Sequence, residues 1–175
     1  TCYDQPALGG VYKLTARLED GCDEWTPVVK LSEQPYKRTI PGRQHIRRFM
    51  DEAGSPVCDM IYDEMYMEGE GTSRGTSVVS VDDAALVADV SGLSSREVMV
   101  PIVRDGCAVA PRESIELART RCREALDSLD DVYKRFLYPQ SYMVGMESGL
   151  ARLRDELVRE RMAETAPTLM WKKRG

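Results

Sequence analysis

At 175 residues, 42% hydrophobic and 30% charged, the chain is long enough to bury a core of its own. A formal net charge of −5 argues against a dedicated nucleic-acid binder, and no apolar run nears the roughly 18 residues of a membrane helix. The start, Thr-Cys-Tyr-Asp, has no initiator Met, basic lead or apolar run, so Thr1 is expected not to be a natural beginning.

Five cysteines, at 2, 22, 58, 107 and 122, form no close pair of the kind a structural zinc site or dithiol motif needs. Their spacing predicts reduced thiols in a cytosolic protein. His45 has no second histidine to join it in a metal site.

Period-two alternation over 11–18 predicts a half-buried strand with Val11, Tyr12 and Leu14 in a core. A polar turn over 19–24 leads to a second strand over 27–31, antiparallel to the first. The stretch 28–49 carries Lys30, Lys37, Arg38, Arg43, Arg47 and Arg48 against the single acid Glu33, with a Pro41-Gly42 turn inside it. Seven acids and no Lys or Arg follow between 49 and 70. The two strips pair as neighbouring strands or loops, or the basic strip faces an anion. Extended runs over 44–50 and 56–62 flank a Gly54 turn and predict a hairpin.

Residues 65–76 and 93–95 read as loops around an apolar run over 78–90. A strand over 97–103, interrupted by Pro101, turns at Asp105-Gly106 into 107–110. From Pro111 the apolar spacing of Ile115, Ala118, Cys122, Ala125, Leu126 and Leu129 predicts an amphipathic helix with its apolar face on the sheet. That helix ends near 130 or continues with a kink to 137. A last helix is expected from an N-cap at Ser148, through Leu150, Leu153, Leu157 and Met162, to 166.

The expected fold is therefore α+β: a small, mostly antiparallel sheet followed by C-terminal amphipathic helices. Its parts are a β-rich segment over 1–62, a loop-rich β segment over 63–110, helices over 111–166 and a basic tail over 167–175. No Ser-His-Asp arrangement and no Gly-rich phosphate loop emerges, and adjacent carboxylates such as Asp82 with Asp83 point apart.

Several short motifs nevertheless resemble nicotinate phosphoribosyltransferase in its C-terminal portion. They are Pro-Ala-Leu-Gly-Gly-Val-Tyr-Lys-Leu at 6–14, Lys-Leu-Ser-Glu-x-Pro-x-Lys at 30–37, Thr-Ile-Pro-Gly at 39–42, Arg-Phe at 48–49 and Asp-Met-Ile at 59–61. Tyr-Pro-x-x-Tyr-x-Val at 138–144 and Glu-Ser-x-Leu at 147–150 continue the order. The resemblance implies an enzyme of NAD salvage that joins nicotinate to phosphoribosyl pyrophosphate with ATP hydrolysis and Mg²⁺. It implies an α/β barrel beside an α/β sandwich domain, a cytoplasmic homodimer, and no nucleic-acid or membrane partner. It also implies that the catalytic residues and the barrel's phosphate segment lie ahead of Thr1, so the chain alone is expected to be inactive.

Lys30, Lys37 and Arg43 are the candidate phosphate contacts, with Lys13 beside them; charge-assisted bonds to phosphate are strong, and Lys and Arg are the usual donors. The competing reading pairs these cations with the acidic strip, or has them join this region to the barrel that the resemblance implies. A non-catalytic anion-binding or structural interaction module is the alternative function. Exposed apolar patches are expected on the strand 11–18 and the helices.

Overall fold

The computed structural model describes residues 12–32, 38–67 and 75–165. In chain order these form β1 (Ala16–Leu18), β2 (Trp25–Pro27), β3 (Gln44–Met50), β4 (Pro56–Asp63), α1 (Glu64–Met67) and β5 (Ser77–Ser80). There follow β6 (Val87–Asp89), β7 (Ser94–Glu97), β8 (Val103–Arg104), β9 (Cys107–Ala108), α2 (Ile115–Asp127), α3 (Asp131–Lys134), β10 (Met143–Glu147) and α4 (Ser148–Thr165). A six-stranded sheet, ordered β6-β5-β10-β4-β3-β7, holds the core, and β1-β2 and β8-β9 are separate antiparallel pairs.

The hairpin at the sheet's centre follows directly from local sequence. Gly54 at φ +81 and an Asp51 side chain that accepts from the Ala53 and Ser55 amides turn the chain. β3 and β4 then pair antiparallel from Gln44 opposite Asp63 to Phe49 opposite Cys58. The pleat of β4 sends Cys58, Met60 and Tyr62 to one face, where they cluster with Phe49, Val78 and Val90. Ile61 faces the other way, toward Met146, Leu150 and Ala151. The Asp105-Gly106 turn is also as expected, with φ of 50 and 75 joining β8 to β9.

β10 is the main correction. Between the two expected helices, where no element was expected, lies a strand that runs parallel to β4 and antiparallel to β5. A strand lying between two neighbours and buried toward its end shows no polar-apolar alternation, so periodicity cannot reveal it. Gly145 is essential to the fit: a Cβ there would run into the Val78 side chain and the Val79 carbonyl. The cap of α4 differs as well. Glu147, 4% exposed, accepts from the Gly149 and Leu150 amides at 2.6 and 3.0 Å, and Ser148 donates to Glu147 instead of capping. α4 buries Leu150, Ala151 and Val158, whereas Met162 is exposed.

Other expectations shift outward. Only 16–18 of the predicted first strand pair with β2; Tyr12 is 87% exposed and Leu14 is exposed, so neither is core, and Val11 lies outside the described residues. The expected loop at 93–95 is the start of β7, and the strand expected over 97–103 contributes only its ends. α2 starts behind a Ser114 cap rather than at Pro111 and ends at Asp127. None of its residues is buried, so its apolar face does not lie on the sheet as expected; Ile115 is 75% exposed.

Candidate functional site

The face of the sheet toward α4 carries a half-open groove of about 420 Å³. Its floor is apolar: Ile61 of β4, Val144 of β10, and Ile40 and Val81 from the adjoining loops. Its rim is polar, with three cations, three neutral side chains and one acid. Lys13 and Thr15 come from the lead into β1, Arg38 and Thr39 from the basic strip, Gln44 from β3, Asp82 from the turn after β5, and Arg154 from α4. A neighbouring hollow of about 480 Å³ shares Lys13 and Thr39 and adds Lys30.

Backbone bonds lock these segments together. The Thr15 carbonyl accepts from the Val28 and Gly42 amides at 2.9 and 2.7 Å, and the 2%-exposed Thr39 hydroxyl accepts from the Lys30 amide at 2.8 Å. Gln44 Nε2 donates to the Ile40 carbonyl, which braces the loop against β3. Arg154 reaches back to Met146 Sδ at 3.6 Å and pairs with Asp155 at 2.9 Å. Gly42, at φ +94, lies so close to Asp63 that a Cβ would overlap its carboxylate, which fixes the turn where the strip enters β3.

The structure divides the basic strip. On its β3 side the cations are held by acids: Arg48 binds Asp59 through two bonds of 2.8 Å, Arg47 contacts Glu97 at 2.8 Å, and Arg43 lies 2.8 Å from Glu64. Hydrogen bonds to Asp59 raise the Arg48 guanidinium above its ordinary value, and Tyr142 donates to the same carboxylate. Burial, then the Asp59 charge, pushes the Tyr142 phenol well above the usual tyrosine range. Arg43 also stacks over Trp25 at 5.3 Å, and His45 lies 3.7 Å from Glu64. For Arg43 and Arg48, whose partners Glu64 and Asp59 lie in the acidic strip, this follows the strip-to-strip pairing that the sequence offered as one alternative, whereas Glu97, the partner of Arg47, lies outside that strip. Toward the groove, in contrast, no carboxylate among the described residues pairs with Lys13, Lys30 or Arg38.

Of the three residues proposed from sequence, Lys30 therefore lines the hollow, Arg43 stands apart at Glu64 and Trp25, and Lys37 lies outside the described residues. Sequence reasoning missed Arg38, Gln44 and Arg154 as groove residues. Arg154 had a signal: it lies four residues after Leu150, so it flanks the buried stripe of α4 and must emerge at its edge. Among the described residues no three His, Cys, Asp or Glu side chains come together as a group that could hold a metal ion. No described helix is long and apolar enough to cross a membrane.

Residues 43–154, from the start of β3 to the groove arginine of α4, match the family model of the nicotinate phosphoribosyltransferase C-terminal domain. The chain belongs to that family. Named nicotinate phosphoribosyltransferases are similar along most of it: the Bacillus subtilis protein is 27% identical over 83% of the chain, and the Homo sapiens protein 28% over 90%. The chain spans 29% and 28% of those two relatives' lengths. The crystal structure of human nicotinic acid phosphoribosyltransferase superposes with a TM-score of 0.54 at 20% identity, over 68% of this chain and 23% of that one, which shows a shared fold. The family match covers the whole six-stranded sheet, whereas Lys13 and Arg38 of the groove and Lys30 of the neighbouring hollow lie before it.

Proposed function

We propose that this chain serves as the C-terminal domain of a nicotinate phosphoribosyltransferase, an enzyme that joins nicotinate to phosphoribosyl pyrophosphate to give nicotinate mononucleotide and pyrophosphate. The observation that carries the reading is the family match over 43–154, together with relatives of that name along 83% to 90% of the chain. On this reading the domain works in NAD salvage in the cytoplasm, within a homodimer, beside a barrel that holds the reacting groups. ATP is the coupled co-substrate, with Mg²⁺ accompanying its phosphates; none of the described residues is assigned to the metal. Lys30, in the hollow beside the groove, and the groove's Lys13 and Arg38 add positive potential on one side of the domain, which would attract phosphates.

A chimera tests it. The matching part of the Bacillus subtilis enzyme is replaced by this chain, and nicotinate mononucleotide formation is measured with phosphoribosyl pyrophosphate and ATP. Activity is expected above that of the same enzyme with the region deleted. A chimera that melts cooperatively yet forms no product would refute the assignment.

A further inference from the structure

We propose that the loop tip Phe136-Leu137-Tyr138, between α3 and β10, is a docking knob that enters an apolar pocket on the rest of the transferase. The inference rests on the reading of the chain as one domain of that longer enzyme, and it names the element that joins the two.

Exposure points to the tip first. Phe136 is 97%, Leu137 69% and Tyr138 91% exposed, so three large apolar side chains stand side by side in water. Among the described residues Phe136 and Tyr138 are the most exposed of all large apolar side chains, whereas the chain's other phenylalanine, Phe49, is core. Single apolar residues on a surface need no explanation, but a contiguous group of them marks a contact.

The tip is also held in place. The Gln140 amide donates to the Val132 carbonyl at 3.0 Å and closes the loop at its base. Asp130 caps α3 by accepting from the Val132 amide at 2.9 Å, and the Tyr133 ring meets the Tyr142 ring edge-on at 5.3 Å. Tyr142 in turn donates to Asp59 at 3.0 Å, which anchors the base to β4. Tyr138 itself has φ +52, a left-handed conformation that a bulky aromatic residue adopts at a cost, and Pro139 follows it. Rings presented in water on a strained, anchored backbone add nothing to this domain's own stability; they are preorganised for a partner.

Length says which partner. The named relatives keep more than two thirds of their length outside the part this chain spans, so the domain has a large neighbour to meet. The tip lies inside the family match over 43–154 and directly ahead of β10, a strand from the interior of the sheet. Tyr12, 87% exposed, precedes that match. The receiving pocket is apolar at depth for Phe136 and Leu137, with an acceptor or water at its mouth for the Tyr138 hydroxyl.

Hydroxyl-radical footprinting of the dilute 175-residue chain and of the Bacillus subtilis chimera reads the tip directly. Phe136 and Tyr138 should oxidise about tenfold more slowly in the chimera, where a closed contact excludes water. Phe136→Ser should lower the chimera's melting temperature by a few degrees and leave that of the isolated chain unchanged, a difference that a folding defect within the domain cannot produce. Tyr138→Gly should leave the isolated chain no less stable, because glycine adopts positive φ freely, yet destabilise the chimera. An active chimera whose rings oxidise as fast as those of the isolated chain overturns the docking site and leaves the assignment standing. Protection that appears in the isolated chain as its concentration rises gives the tip to a second copy and overturns the site equally.

Discussion

Cys58 shows how much a single buried side chain can report. It points into the cluster of Phe49, Met60, Tyr62, Val78 and Val90 at 3% exposure, whereas Cys22, Cys107 and Cys122 are exposed. Burial, and then the adjacent Asp59 charge, pushes its thiol up to about 11 from an ordinary 9.0. Because the folded value is raised, the stabilising effect is complete below pH 9 and is lost as pH climbs toward 11, where the unfolded chain ionises first. Between pH 8 and 10.5 this one group should cost about 2 kcal/mol of stability. Urea midpoints compared with those of Cys58→Ala test it: the variant starts less stable at pH 8 but loses less on going to pH 10.5. Parallel pH slopes would remove the thiol from the account.

At this scale the sequence was partly legible. Glycines that must turn, such as Gly54 and Gly106, announce themselves by their neighbours, and so does the Pro41-Gly42 turn. What Gly42 does beyond turning, leaving room for the buried Asp63 carboxylate, depends on a residue 21 positions away and has no local signature.

Among the elements, β10 decides the architecture. The β3-β4 hairpin was legible because its turn, alternation and opposite charges all lie within 20 residues. β10 is joined to β4 across some 80 residues and inserts between strands that are themselves far apart in sequence, so no local pattern specifies it. Its middle residue, Gly145, reads as a breaker, yet only glycine fits between Val78 and Val79. Gly145→Ala should therefore be costly, by about 3 kcal/mol, through overpacking against a neighbouring backbone that cannot yield. Denaturant melts of wild type and variant measure this, with Gly149→Ala as the comparison; there the contact is the Glu147 carboxylate, a side chain rather than a strand. Equal stability of Gly145→Ala and wild type would mean that β10 sits less tightly than its register implies. Since Val144 and the Arg154-bearing helix both follow from β10, the groove depends on the same insertion.

Taken whole, the molecule distributes its apolar residues unevenly. Buried ones concentrate in the sheet strands and α4, while a large share lies outside them and is exposed: Val100 at 69%, Ile102 at 57% and Val103 at 62% around the β8-β9 pair, and Ile115 and Leu117 on α2. That the apolar stripe of α2 is real in sequence yet unpaired in space explains why its helix could be foreseen and its packing could not. Periodicity reports which face is apolar; it says nothing of what the face meets. Contiguous apolar surface of this kind drives association in water. The chain is accordingly expected to associate as its concentration rises, seen as a growing sedimentation coefficient and dye binding typical of exposed apolar surface. Val100→Thr, Ile102→Thr and Val103→Thr together should reduce both without lowering the melting temperature by more than a few degrees, because none of the three contributes to the buried clusters. A wild-type chain that stays monomeric at high concentration and melts in one cooperative step would show that these residues find cover within the chain itself.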